Sequence, residues 1–421
     1  MGRQILVYAD LQGTPHLVGR LWARARRDRE RASFEYDGSW LENPERFALE
    51  PALTLGKGTF HTAAGRTTFG AVGDSAPDRW GRALMRRAER RRADAAGERP
   101  LTLREIDYLL NVDDEARQGA LRFADGQGGP LLARESATRI PPLFELPRLL
   151  AAAERFVDED ESDDDLRALL APGSSLGGAR PKASVRDRDG QIAIAKFPHH
   201  TDEYRTVLWE AVALTLASEA GIPVPEWRIE NVGDRAVLLL RRFDRDGAVR
   251  VPFLSAMSML DAADNETRSY LEFVDALRQY GDAPKSDMRR LWRQIVFNIM
   301  ISNTDDHLRN HGFLYAGPGG WRLSPAYDLN PVPVDIKPRV LTTAIDLDSG
   351  QASLGLALEV AGYFELETDE ARAIAGEVGQ AAAGWRDTAA RLGLSGGEIE
   401  RMASAFEHED LTAAQEMRVE A

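Results

Sequence analysis

An aspartate, an asparagine five residues on, and a second aspartate beyond a β-hairpin supply three oxygen ligands in a telling order. The first two lie in Asn303-Thr304-Asp305-Asp306-His307-Leu308-Arg309-Asn310, directly after the apolar helix LWRQIVFNIMI. The third is Asp328 in Ala326-Tyr327-Asp328-Leu329, delivered by the strands GFLYAG and GWRLSPAY that join at Pro318-Gly319-Gly320. This order suits phosphoryl transfer to a hydroxyl. Asp305 would accept the acceptor's proton, while Asn310 and Asp328 would hold Mg2+ against the phosphates of ATP. The plainer alternative is that Asp305 and Asn310 cap a helix or tighten a loop, as Asx residues often do.

Two upstream features fall in the order that such chemistry needs. The run Gly173-Ser174-Ser175-Leu176-Gly177-Gly178-Ala179-Arg180-Pro181-Lys182 is small enough for backbone N–H groups to approach phosphate oxygens, with Lys182 or Arg180 adding charge. It is not a Walker A loop, because no Lys-Ser/Thr pair follows the glycines, and by itself it reads equally well as a flexible turn. The next strand, IAIAKF, sets Ile192, Ile194 and Lys196 on one side, so an apolar face ends in an ammonium. Lysines at strand ends commonly snorkel to water. Behind a glycine loop, however, Lys196 is the candidate phosphate contact, and Glu210 on the following helix is its candidate ion-pair partner, with Glu203 and Glu219 on the same helix.

The elements that must position these residues fall into an α+β chain. The first hundred residues bunch β-formers (ILVYADL, HLVGRLWA, ASFEYD), followed by a helix around 78–95 with Trp80, Leu84 and Ala88 on one face. Residues 183–243 read β-β-α-β-β, with an amphipathic helix over 203–220 that stops at Gly221 before Pro223. Beyond about 250 the chain reads as helical apart from the hairpin that carries Asp328. The expected division is an N-terminal β-rich part over 1–145, a nucleotide-binding part over 146–248 and a helical part over 249–421.

Composition excludes several classes. The net charge of −14 argues against a chain that coats nucleic acid. Yet the first hundred residues hold 18 Lys+Arg against 13 Asp+Glu, mostly through the runs Arg24–Arg31 and Arg86–Arg92. These read as a charged hairpin and a solvated helix face, or else as a surface for a partner or DNA. The acidic run 158–165 reads as a surface segment or a helix start. Cysteine is absent, so there are no disulfides, and a reducing cytoplasm is the expected compartment. No window reaches eighteen apolar residues, and the first residues lack a signal-peptide layout, so no membrane contact is expected.

SSLGGARPKA, IAKFP, ASEAGIPVPE, LLLRRFDR, NTDDHLRNHGFLY and LSPAYDL together resemble HipA-type serine/threonine protein kinases in order and spacing, and DSAPDRWGRALM resembles a helix of that family's N-terminal part. The resemblance implies a HipA-like kinase fold: a mixed α/β N-terminal half and an all-α C-terminal domain. It implies Asp305 as the catalytic residue, Asn310 and Asp328 on the metal, and Lys196 on the nucleotide phosphates. It also implies nucleotide contacts from Ser175, Gly177, Gly178, Lys182, Glu210, Phe243 and His307, and autophosphorylation at Ser175 as an off-switch. A phosphoserine there would repel bound ATP. The family further implies a toxin of a toxin–antitoxin pair with a HipB-type helix-turn-helix antitoxin, DNA bound only through that antitoxin, and a protein substrate such as an aminoacyl-tRNA synthetase. One departure stands out. Relatives often carry Glu-Arg-Phe-Asp-Arg at the adenine strand, where this chain has Arg241-Arg242-Phe243-Asp244-Arg245. Competing readings are a small-molecule kinase, a pseudokinase-like ATP-binding module, and a metal-dependent phosphohydrolase using Asp305, Asp306, His307 and Asp328.

Overall fold

The first sheet begins with a strand buried on both faces, Leu6 and Asp10 on one and Ile5, Val7 and Ala9 on the other. In β1 (Arg3–Leu11) the side chains of Ile5, Val7 and Ala9 are fully buried, and β2 (Thr14–Arg26) and β3 (Arg29–Tyr36) continue the antiparallel ladder. With β4 (Thr59–His61) and β5 (Leu121–Ala124) the order is β4-β3-β2-β1-β5. Gly19 is required where β2 meets β3, because a Cβ there would lie 2.2 Å from the Glu35 carbonyl. This computed structural model describes residues 3–26, 29–126, 129, 131–133, 140–173 and 178–417. By packing, the chain falls into two units, Met1–Thr201 with Glu230–Leu254, and Asp202–Ile229 with Ser255–Ala421.

In the first unit, helices α1 (Arg79–Ala96), α2 (Glu105–Leu110), α3 (Leu146–Val157) and α4 (Asp163–Gly173) precede a second sheet. Its strands β6 (Lys182–Arg186), β7 (Ile192–Lys196), β8 (Trp227–Val232) and β9 (Arg235–Arg241) are ordered β6-β7-β9-β8. One apolar cluster joins Trp80 and Leu84 of α1, Leu149 and Phe156 of α3, and Leu169 of α4 to Ala183, Ala193, Ala195 and Val237 of the sheet. The core side of β7 is therefore the alanine side. Ile192, Ile194 and Lys196 share the opposite face, together with Lys182 and Ser184 across the ladder.

Two arginines of the run Arg86–Arg92 meet the acidic run, while Arg86, Arg90 and Arg92 stay exposed as the solvated-face reading held. Glu161, whose carboxylate is 0% exposed, pairs with Arg87 at 3.1 Å and Arg91 at 3.0 Å. Arg87 also reaches Glu159 and Arg91 reaches Asp163, while Arg92 bridges Glu89 and Glu98. The acidic run clamps α1 to the start of α4, so Arg87 and Arg91 serve the fold internally.

The second unit opens with α5 (Thr206–Glu219), which is buried on nearly every side from Thr206 to Leu214. This corrects the amphipathic expectation: the helix is enclosed within its unit, where Trp209 meets Trp385 and Phe406. Gly221 (φ 72°) ends it as read. Helices α6 (Tyr270–Tyr280) and α7 (Pro284–Met300) lead to the hairpin β10 (Gly312–Tyr315) and β11 (Trp321–Leu323). Strand β11 is shorter than GWRLSPAY, because Pro325 cannot donate to a ladder. Buried Asp287 ties the hairpin to α7, accepting from the Leu323 N–H at 3.0 Å and pairing with Arg322 at 2.8 Å. Helices α8 (Thr368–Ala383), α9 (Trp385–Arg391) and α10 (Glu409–Glu416) close this unit.

Candidate active site

Where α7 ends, Ser302 takes a left-handed backbone (φ 50°) that helices more often assign to glycine. Its hydroxyl offsets that cost by donating to the Ala405 carbonyl at 2.7 Å and accepting from Arg339 Nε at 3.1 Å. The two consecutive aspartates that follow point to different worlds. The Asp305 carboxylate is 62% exposed, whereas Asp306 is fully enclosed. Asp306 Oδ1 accepts from the N–H groups of Thr342 (2.9 Å) and Thr343 (3.4 Å), its Oδ2 accepts from Tyr270 Oη, and its carbonyl accepts from Thr343 Oγ1 at 2.7 Å. Asp306 is thus the anchor that turns Asp305 outward.

Burial pushes the Asp306 carboxyl up to about 7, with the Tyr270 and backbone donors pulling in the opposite direction. In the unfolded chain it returns to about 4, so between those values the folded state holds the extra proton. That contribution is complete below the unfolded value and is lost as pH rises through about 7. The parent is therefore expected to gain stability relative to Asp306→Asn as pH is lowered from 7 to about 4. Denaturant midpoints that keep a constant separation over that range would refute this.

The Asn310 side chain does tighten the loop, as the plainer alternative held. Its Nδ2 donates to the Asp305 carbonyl at 2.9 Å. That bond fixes the amide so that Oδ1 is turned to the other side, where a cation could be met. Asp328 also carries a left-handed backbone (φ 58°), and Asn330 Nδ2 donates to its carbonyl at 3.1 Å. Tethers hold this loop to the Asp305 loop: Tyr327 Oη donates to the Arg309 carbonyl at 2.8 Å, and the Asn330 N–H donates to Asn303 Oδ1 at 3.3 Å. Asn303 Nδ2 in turn donates to Asn298 Oδ1 of α7 at 3.0 Å. The second unit thereby gathers Asp305, Asn310 and Asp328 on interlocked loops. His307 lies on the same loop, and its buried Nδ1 has no hydrogen-bond partner among the described residues. His311 is a core residue packed on Tyr270 and Phe273, and burial pushes its imidazole down to about 3.

In the first unit, Lys182 is buried beneath the end of the glycine run. A Cβ at Gly178 (φ 87°) would lie 2.7 Å from Lys182 Nζ, so glycine and ammonium share one small space. Trp80 fastens both, its N–H donating to the Gly178 carbonyl (3.3 Å) and its Nε1 to the Lys182 carbonyl (2.9 Å). Lys196 is half-buried and lies opposite Lys182 in the ladder. The buried Ser184 hydroxyl on the same face has no partner among the described residues. Ser175 and Gly177 lie outside the described residues. Half-buried Phe243 stands 6.3 Å from Phe253, and its neighbours Arg242 and Asp244 are structural. Glu210 is buried in α5, in the second unit.

Sequence reasoning missed the polar frame around the loop: Tyr270, Asn298, Asn303, Asn330, Thr342 and Thr343. It also missed Lys337, whose Nζ lies 3.9 Å from Asp305 Oδ1. The adjacency of two aspartates was a signal that one of them serves the interior. Nothing local marks Lys337.

Among the described residues, no helix is long and apolar enough to cross a membrane. The model of the HipA-like C-terminal domain matches residues 174–385, half of the chain. A protein of Sinorhizobium fredii provisionally named a kinase, Y4mE, is 26% identical over 181 residues, covering 37% of this chain and 41% of its own length. A provisionally named kinase of Haemophilus influenzae is 26% identical over 181 residues, 37% of this chain and 52% of its own. The match thus spans about half the length of these relatives. Among solved structures, HipA of Shewanella oneidensis MR-1, from a toxin–antitoxin complex with HipB and operator DNA, aligns with TM-score 0.65. That alignment covers 99% of this chain and 97% of that one at 15% identity, a likeness of fold. With half its length matched by that domain, the chain belongs to the HipA-like kinase family.

Proposed function

We propose that the chain is an ATP- and Mg2+-dependent serine/threonine protein kinase and the toxin of a toxin–antitoxin module. The observation that carries this reading is the solvent-facing Asp305 held between Asn310 and the tethered Asp328 loop. In the proposed step the acceptor hydroxyl oxygen bonds to the γ-phosphorus while the bond to the β–γ bridging oxygen breaks. ADP leaves with that electron pair, and Asp305 takes the hydroxyl proton.

The residues present fit the nucleotide and the metal. The Lys182 and Lys196 ammonium groups and the unpartnered Ser184 hydroxyl suit an anionic, polar ligand, and Asn310 Oδ1 and the Asp328 carboxylate suit a hard cation. Mg2+, when bound there, offsets the phosphate charge; orientation and proton acceptance fall to the protein. The family supports a translation component such as an aminoacyl-tRNA synthetase as substrate, with self-limitation at Ser175. A cytoplasmic location follows from such a substrate. The fold shared with the Shewanella HipA supports a HipB-type helix-turn-helix antitoxin as partner, with DNA contacted only through it.

The purified chain, given Mg2+ and ATP labelled at the γ-phosphate, is expected to place label on serine or threonine of itself or of an added protein, and chelation should abolish this. Label released as free phosphate from monoesters without ATP would favour the phosphohydrolase. Nucleotide binding without transfer would favour the pseudokinase.

A further inference from the structure

Residues 330–343 form an irregular stretch that is fastened to the Asp305 loop by more than the Thr342 and Thr343 bonds to Asp306 described above. The Asn330 N–H bonds Asn303 Oδ1, and the Val332 N–H bonds the Ser302 carbonyl at 3.3 Å. Arg339 donates to Ser302 Oγ, to the Ile299 carbonyl at 3.1 Å, and to Asp410 at 2.8 Å. Thr342 Oγ1 donates to the Thr304 carbonyl at 2.9 Å.

Between these fasteners the turn Pro333–Lys337, closed by N–H groups of Ile336 and Lys337 onto the Pro333 carbonyl, presents one cation. Lys337 Nζ donates to the same Thr304 carbonyl at 2.8 Å and stands 3.9 Å from Asp305 Oδ1. Its side chain is 41% exposed, so the ammonium sits at the edge of the loop rather than within the core. An ordinary surface lysine pays entropy to hold one geometry and gains little from it. Here the proline-flanked backbone and the Arg339 anchor fix the point from which the stem starts, and the Thr304 carbonyl holds its end. Only one of the three ammonium hydrogens is used by the Thr304 carbonyl.

We propose that Lys337 is a positioning residue for the phosphoryl-transfer step, fixing the Asp305 carboxylate toward the acceptor hydroxyl. This rests on the kinase reading above, in which Asp305 receives the acceptor's proton. The ammonium stands within ion-pair reach of one carboxylate oxygen, at 3.9 Å, and biases that oxygen toward itself, leaving the other to meet that proton. It also sets a positive charge beside the place where the phosphoryl group changes hands. The cation comes from the chain beyond Asp328, so the loop that carries a metal ligand and the residue that aims the base are one continuous segment.

The test compares the parent, Asp305→Asn, Lys337→Ala, Lys337→Met and Lys337→Arg. Each is assayed for phosphate incorporation into itself from γ-labelled ATP with Mg2+, and for equilibrium binding of a fluorescent ATP analogue. Lys337→Ala and Lys337→Met are expected to slow incorporation roughly 10- to 100-fold with nucleotide affinity changed less than about threefold. Lys337→Arg is expected to recover rate to within about fivefold of the parent, because charge and reach persist. The methionine variant keeps the stem, so a purely structural role would spare its rate. Parent-like rates in Lys337→Met, affinity losses that match the rate losses, or an arginine variant no better than alanine would each overturn the proposal. An active parent, an inert Asp305→Asn and a parent-like Lys337→Ala would sink Lys337 alone. A parent that incorporates no phosphate would sink the kinase reading and this proposal with it.

Discussion

Replacing Asp305 by asparagine is expected to lower phosphate transfer by roughly 10²- to 10⁴-fold while leaving the unfolding midpoint where it was. Both halves follow from one observation: the carboxylate is mostly solvent-exposed, with Lys337 at 3.9 Å as its ion-pair neighbour. An exposed pair at that distance is worth at most about 1 kcal/mol, so little stability rides on it. The neighbouring residue gives the opposite outcome. Asp306→Ala strips the acceptor from Tyr270 and from two backbone N–H groups, so the loop itself should loosen and the midpoint fall. Rates and melts measured on the two variants check this together. Equal effects from both would show that Asp305 has no separate chemical role.

The largest stability effect is expected in the first unit, at Asp244. Its carboxylate lies almost wholly buried between Arg242 and Arg245, with bonds of 2.8 Å from Arg242 Nε and from Arg245 Nη1, and it accepts the Gly119 N–H at 2.8 Å. Burial alone would raise this carboxyl; the two guanidinium groups outweigh it and hold it far below the usual carboxylate range. The same arginines donate to the carbonyls of Ala116, Arg117 and Gly119, so one carboxylate organises the junction between β9 and the segment before β5. Asp244→Ala leaves two buried cations without their paired carboxylate, a change that typically costs about 3–5 kcal/mol. At roughly 2–4 °C per kcal/mol for a unit of this size, thermal unfolding should shift down by about 10 °C. A shift under about 2 °C would show that water or relaxation supplies the missing charge. This junction also revises the Arg-Phe-Asp-Arg motif: whatever Phe243 does for a nucleotide, Arg242 and Asp244 are there to hold the strand.

The residues that could do chemistry were legible because their chemistry depends on order along the chain. Asp305, Asn310 and the Asp328 hairpin are local in sequence, and the turn residues between them announce the geometry. Helix ends such as Gly221 and the bunched β-formers of β1 were legible for the same reason, since capping and strand propensity act over a few residues. Three things depended on the fold. Which of Asp305 and Asp306 faces water is decided by Tyr270, Thr342 and Thr343, which lie about 36 residues away on either side. The partnership of Arg87 and Arg91 with Glu161 joins residues 74 and 70 positions apart, so each run alone looked like solvated charge. Lys337 reaches Asp305 because Arg339 and Thr342 are pinned to Ser302 and to the Thr304 carbonyl of that loop. A charge has no period and no propensity; its role is set by which groups tertiary packing brings within a few ångströms and by how much water it leaves between them. The sequence by itself thus determined the family and the order of the candidate groups, and the tertiary structure decided which of their charges face water and which are tied into the fold.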